Sequence, residues 1–426
     1  MDVRRGVVLG TFASFALAMG LGVTACEAPP PPPSPFYYFR VMWNDNASTT
    51  ATVGWSSVDA PSADQKLYYD TIDHGTDVSK YAYTQAISAS NTAFKMNNVF
   101  ARLKELQPAT AYYFVISDSK NTSERYWFST ASNDPTQRVS IIAGGDSRNN
   151  RTPRQAANSL VAKIRPDAVM FGGDMTDSGT EAEWKYWFQD WSLTFSKDGR
   201  ITPLIVARGN HERNNDILVN LYDTPAGVYY GVDLGGDLAR IYTLNSEAAV
   251  TGAQTAWLKS DMASHARTNW KLAHYHVPMR PHVKSKPNGD THYAAWAPLF
   301  HQYRMDIAVE CDSHSVKATW PVRPSNETGS NAGFIRDDRT GTVYLGEGGW
   351  GAPLRSNNDI YPWTRDSDSF NHFQWIFISP RELEIRVVKV DNAAQVTELT
   401  DDTRFQIPQG IELWNPPNGE VVKLAK

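Results

Sequence analysis

Six residues of this chain pair metal-ligand chemistry with a repeated position at the carboxyl end of an apolar run. Val139-Ser-Ile-Ile-Ala143 leads into Gly144-Gly-Asp146-Ser-Arg148, and Asp167-Ala-Val-Met-Phe171 leads into Gly172-Gly-Asp174-Met-Thr-Asp177. Pro203-Leu-Ile-Val-Ala207 ends in Arg208-Gly-Asn210-His211-Glu212. Trp270-Lys-Leu-Ala-His274-Tyr-His276-Val-Pro278 and Met305-Asp-Ile-Ala-Val309-Glu-Cys-Asp312-Ser-His314 repeat the pattern. An Asp after Gly-Gly, taken alone, reads as a turn residue or a helix cap. Five such runs in order, each delivering Asp, Asn or His, supply what a shared metal site needs. In an open α/β sheet ligands sit just beyond the carboxyl ends of the strands, which is where these residues would lie.

The elements that must hold them there follow from the pattern. The apolar runs are short, bounded by turn signals and suited to buried parallel strands. Between them, Thr152-Pro153 reads as an N-cap and first helical residue, with Ala156, Ala157, Leu160, Val161 and Ile164 on one face. Thr180-Glu-Ala-Glu183 has capping-box spacing ahead of Trp184-Lys-Tyr-Trp-Phe188, and Gln254-Thr-Ala-Trp257-Leu258 opens a further helix. Alternation of this kind predicts an α/β domain over residues 138–410, a mainly parallel sheet covered by helices. Val343–Gly349, Phe373–Ile378 and Glu384–Val388 read as late strands that close a sheet sandwich. Ahead of it, residues 36–133 read as an all-β sandwich of short aromatic and β-branched strands. Residues 411–426 are left as a C-terminal tail.

The ordered set Gly-Asp146, Gly-Gly-Asp174-Met-Thr-Asp177, Gly-Asn210-His211-Glu212, His276-Val-Pro278 and a final His314 resembles the calcineurin-like metallophosphoesterases, in their purple-acid-phosphatase-like branch. The front domain fits that resemblance, since Leu106-Gln-Pro108-Ala-Thr110-Ala-Tyr112 is similar to the tyrosine corner of fibronectin type III-like domains. The resemblance implies hydrolysis of phosphate esters, with monoesters ahead of diesters, by a metal-bound hydroxide at a site holding two ions of manganese, iron or zinc. It makes Asp174 the carboxylate shared by both ions. Asp146 and His314 become ligands of the first, and Asn210 and His276 of the second. His211 becomes the outer histidine that contacts substrate and protonates the leaving oxygen. His274 is read as a core residue, and Cys311 as a small buried one.

Departures from the family pattern carry their own expectations. Arg148 and Asp177 stand where the branch often has a His and a Tyr, so the first ion loses a usual ligand. The Arg148 fork suits either a phosphate oxygen or a salt bridge to Asp177 or another carboxylate. Asp312 stands in place of a histidine ligand and would make the second site rich in oxygen, or it faces away. Trp350 and Trp363 are read as cleft walls or as packing.

Residues 1–26 read as an export signal, with Arg4-Arg5 before an apolar stretch and Val23-Thr-Ala-Cys26 similar to a lipobox. Cys26 would carry the lipid of an envelope-anchored lipoprotein, a secreted protein being the alternative, and residues 27–35 are a Pro-rich tether. The membrane, through that anchor, and a small phosphate ester are the expected partners. Net charge −5 and pI about 6.1 argue against a nucleic-acid binder. With Cys26 acylated, Cys311 has no partner for a disulfide.

Overall fold

The apolar runs become the inner strands of two large sheets. The computed structural model describes residues 34–426; the export signal, Cys26 and most of the tether lie outside the described residues. An eleven-stranded sheet places Val139–Gly144, Ala168–Phe171 and Leu204–Val206 side by side and parallel. A seven-stranded sheet does the same with Ala239–Thr243, Trp270–His274, Ile307–Glu310 and Val343–Gly346. Their facing sides share one core, in which Ile141, Met170, Ile205 and Ile376 meet Ile241, Leu272, Ile307 and Leu345. All the ligand-bearing turns therefore leave from the same edge of a two-sheet sandwich.

Helices cover the outer face of the first sheet. The helix Arg151–Ile164 buries Ala157, Leu160, Val161 and Ile164. It starts two residues earlier than the Thr152-Pro153 reading: Asn150 is the N-cap and makes no side-chain capping bond. The helix Glu181–Trp191 begins with the capping box of Thr180 and Glu183. Its Trp184, Trp187 and Trp191 recur at helical spacing and are fully buried, each worth about 1.5–3 kcal/mol of apolar transfer.

The front domain is less separate than its composition predicts. Its strands Phe36–Met42, Ala51–Ser57, Met96–Leu103 and Ala89–Ala93 extend the eleven-stranded sheet, Phe36–Met42 running parallel to Leu204–Val206. A second sheet of four strands faces them, and the Tyr112 hydroxyl accepts a bond from the Gln107 amide at 2.8 Å, the corner expected there. Residues 411–426 are likewise more than a tail. Glu412–Leu413 and Val422–Ala425 both pair with Glu382–Lys389, because that strand's outer edge would otherwise leave its backbone groups unpaired.

Candidate metal centre

Four of the expected ligands, Asp146, Asp174, His276 and Asp312, each offer an atom within 4.8 Å of one another, and all four are buried. The turns that present them bend sharply. Asp146, Arg148, Asp174, Asp312 and His314 all have φ between 47° and 65°, a region that L-residues rarely enter. Backbone bonds hold them there: the Asp146 amide donates to Gly173 O at 2.9 Å, the Arg148 amide to Asp174 O at 3.1 Å and the His314 amide to Glu347 O at 2.7 Å. Gly173 is required between the turns, since a Cβ there would lie 2.3 Å from the Gly209 nitrogen.

Glu212 ties two of the turns together. Its carboxylate accepts from the Asp174 amide at 2.9 Å, the Met175 amide at 2.8 Å and the Gly209 amide at 2.7 Å. Burial, and after it the nearby Asp174 charge, pushes this carboxyl up to about 7. Glu212 thus acts as a clamp on the backbone that carries Asp174.

The donors fall into two groups. In the first, His314 Nε2 lies 3.1 Å from Asp146 Oδ1, while Nδ1 of the same ring donates to Pro353 O at 2.8 Å. That leaves Nε2 as the lone-pair nitrogen. His314 Nε2, Asp146 Oδ1 and Asp174 Oδ2 are buried yet have no hydrogen-bond partner. Buried polar atoms are normally satisfied, so the unpartnered His314 Nε2 and Asp146 Oδ1, 3.1 Å apart, fit a cation that completes them, although His314 itself lies outside the four clustered donors. In the second group, His276 Nδ1 donates to Gly172 O at 2.9 Å and Nε2 faces the site. Around Nε2 are Asn210 Oδ1 at 3.1 Å, Asp174 Oδ1 at 3.3 Å and Asp312 Oδ1 at 3.6 Å. Asp174 presents Oδ1 to this second group, while its Oδ2 faces Arg148. Burial opposes its charge, but His276, Arg148 and His211 hold its pKa down to about 2, so it is ionised and ready to bind.

Arg148 reaches into this centre. Its Nη2 lies 2.8 Å from Asp174 Oδ2, an ion pair without hydrogen-bond geometry, and Nη1 bonds Asp177 Oδ1 at 3.0 Å. The salt-bridge alternative is therefore present, and it occupies the oxygen that the first ion would use. His211 donates its amide to Asp174 Oδ1 at 2.9 Å, and its Nδ1 contacts both Asp177 O and Arg148 Nη1. With Nδ1 donating to the carbonyl, Nε2 is the atom turned toward the site, 3.9 Å from Asp174 Oδ2.

Asp312 faces inward, and its amide donates to Asp146 Oδ2 at 2.9 Å. Lys286, which no motif flagged, meets Asp312 Oδ1 at 2.5 Å and supplies the positive charge that an Asp in place of a His calls for. His274 is a core residue: its Nε2 lies 2.6 Å from Thr243 Oγ1 and burial lowers its pKa to about 3. Cys311 is fully buried, its thiol pushed up to about 12 by burial, which excludes a thiolate nucleophile. Trp350 and Trp363 do not wall a cleft. Both are buried, and their indole nitrogens donate to Asn158 Oδ1 and Asn331 O.

Comparison with known proteins follows the same division of the chain. Residues 37–130 match the purple acid phosphatase N-terminal domain and residues 142–315 match the calcineurin-like phosphoesterases. Uncharacterized protein MT2654 of Mycobacterium tuberculosis is 23% identical over 432 residues, covering 85% of this chain and 80% of its own. Among solved structures, purple acid phosphatase PPD1 from yellow lupin (Lupinus luteus) superposes with TM-score 0.73 at 16% identity, over 92% of this chain and 75% of its own. PhoD superposes with TM-score 0.64 at 11% identity, over 93% of this chain and 94% of its own. At these identities the structural likeness speaks to the fold.

Proposed function

As a calcineurin-like metallophosphoesterase with a purple-acid-phosphatase N-terminal domain ahead of its catalytic one, this chain, we propose, hydrolyses phosphate monoesters at a two-metal centre. The ligands in this reading are Asp146, Asp174 and His314 for one ion and Asp174, Asn210, His276 and Asp312 for the other. The carrying observation is the buried cluster of donors from Asp146, Asp174, His276 and Asp312, with the unpartnered Asp146 Oδ1 and His314 Nε2 lying 3.1 Å apart at its side. Bound ions would lower the pKa of a water and neutralise phosphoryl charge.

The chain's own groups supply the rest. Arg148, its fork already in the site, shifts from Asp174 to a phosphoryl oxygen and holds charge that grows in the transition state. His211, when protonated on both ring nitrogens, presents Nε2–H and gives that proton to the departing alkoxide, leaving a neutral ring whose Nδ1–H still bonds Asp177 O. Lys286 lies beside Asp312 and adds a second cation at the rim. The setting in this reading is the cell envelope, where Cys26 would anchor the protein.

One contact favours a second reading. Because Arg148 Nη2 sits on Asp174 Oδ2, the first ion has a competitor, and a site that holds one ion with little turnover would make this a binding protein on a phosphoesterase fold. Metal content of protein purified without added ions, paired with rates on an aryl phosphate monoester and diester, separates the readings. Monoester turnover with two ions per chain supports the first. Bound metal with no turnover on either ester supports the second, and preference for the diester replaces the monoester assignment.

A further inference from the structure

A cavity of about 600 Å³ opens at the other end of the seven-stranded sheet, where Trp270 begins one strand and Asp306 precedes another, strands whose far ends lead to His276 and Asp312. A strand of five residues spans about 16 Å, so this cavity is separate from the metal centre. Six cationic side chains line it against two acidic ones, in a chain whose net charge is −5. The two acids are already engaged: Asp306 meets Lys426 at 3.0 Å and the Lys271 amide at 2.8 Å, and Asp338 meets Arg336 at 2.8 Å.

The cations are held in place by aromatic and carbonyl partners. Lys426 Nζ lies 4.3 Å from the centre of the Trp270 ring, and Arg336 and Arg365 approach Trp320 at 3.9 and 5.7 Å. Arg365 also donates to Asn418 O and Gly419 O. Arg304 and Arg339 are different. They line the same cavity, are exposed, and their guanidinium groups make no hydrogen bond or ion pair with the described residues, only the backbone amides being bonded. The wall thus offers unused guanidinium donors and positive charge, while its carboxylates are neutralised.

We infer that this cavity is a second binding site, for an anionic, oxygen-rich small molecule of sugar-phosphate size, held through its phosphate or carboxylate by Arg304 and Arg339. A volume of this order is usual for small-molecule sites, and guanidinium forks match phosphate and carboxylate geometry. The site goes beyond ester hydrolysis, since none of the proposed metal ligands lines it.

Titration calorimetry of the full protein with inorganic phosphate, and separately with galacturonate, tests the site. The comparison uses wild type, the double variant Arg304→Ala/Arg339→Ala and Asp174→Asn. Both arginines are exposed, so their removal leaves the fold and ester turnover unchanged. At least one probe should bind wild type in a phase that Asp174→Asn retains and that the double variant weakens by about tenfold, the loss expected for charge-assisted bonds. Phosphate alone showing that phase identifies a phosphate ligand, and galacturonate alone a carboxylate. Isotherms of the double variant identical to wild type for both probes overturn the inference, as does the absence of binding by either probe to Asp174→Asn.

Discussion

At the scale of single residues, function rests on which oxygen or nitrogen atom each side chain turns inward. Asp174 offers Oδ1 to His276 and Oδ2 to Arg148, and it stands with Asp146, His276 and Asp312 among the clustered donors, so Asp174→Asn removes charge from the middle of the centre. Asn tolerates the left-handed backbone that Asp174 adopts at φ 56°, so the variant stays folded while activity falls more than about a hundredfold, measured on an aryl phosphate together with metal content. Arg148→Ala removes the guanidinium that meets Asp174 Oδ2; turnover should fall about a hundredfold with metal content unchanged or raised. Unaltered kinetics in that variant would leave Arg148 as a salt bridge and nothing more. Asp312 makes the second group mostly oxygen, which suits manganese over zinc. Asp312→His, at a φ of 65° that His also accepts, should move reactivation of the apo-protein toward zinc, and identical metal profiles would remove Asp312 from the ligand set.

The elements that aim these atoms meet in a buried ionic cluster that is not itself part of the metal centre. Lys317 Nζ lies 2.7 Å from both Glu310 and Glu347, and all three are buried. Glu310 ends the strand that leads to Asp312, and Glu347 accepts from the Ser315 hydroxyl at 2.7 Å while its carbonyl receives the His314 amide. Lys317→Met would leave two buried carboxylates with hydrogen bonds but without their lysine counter-charge and cost about 3–5 kcal/mol, read from the denaturant midpoint. The pH dependence has a definite sign. Burial opposes the Glu347 charge, but Lys317 and His282 lower its pKa from 4.5 to about 2. A group lowered on folding stabilises above its unfolded value, so on the order of 3 kcal/mol present at neutral pH is lost as pH falls from about 4.5 toward 2. Denaturation curves at pH 7 and pH 3 check this, and a midpoint that does not move with acid would contradict it. None of this cluster was legible in the sequence. Lys317, Glu310 and Glu347 belong to no motif, and only the pairing of their strands brings them together.

Over the whole molecule, what could be read beforehand was local and periodic. Apolar runs ending in Gly-Asp, Gly-Asn-His-Glu and His-Val-Pro placed Asp146, Asp174, Asn210 and His276 beyond the carboxyl ends of strands, because strand direction alone decides where a run ends. Contacts between segments distant in sequence were not readable. Lys286 on Asp312, the Glu212 clamp and the return of Val422–Ala425 onto Glu382–Lys389 depend on loop paths that carry no signature. Trp350 and Trp363 show the same limit, since an indole in a loop reads alike whether it walls a cleft or fills a core. The two-sheet frame nevertheless leads to one central claim, that this is a metal-dependent phosphoesterase whose site is completed by two ions. Stripping the protein of metal and titrating manganese back while following aryl phosphate hydrolysis tests it most directly. Activity should be absent from the stripped protein and rise until two ions are bound per chain; full activity without metal, or saturation with metal and no hydrolysis, would contradict the account.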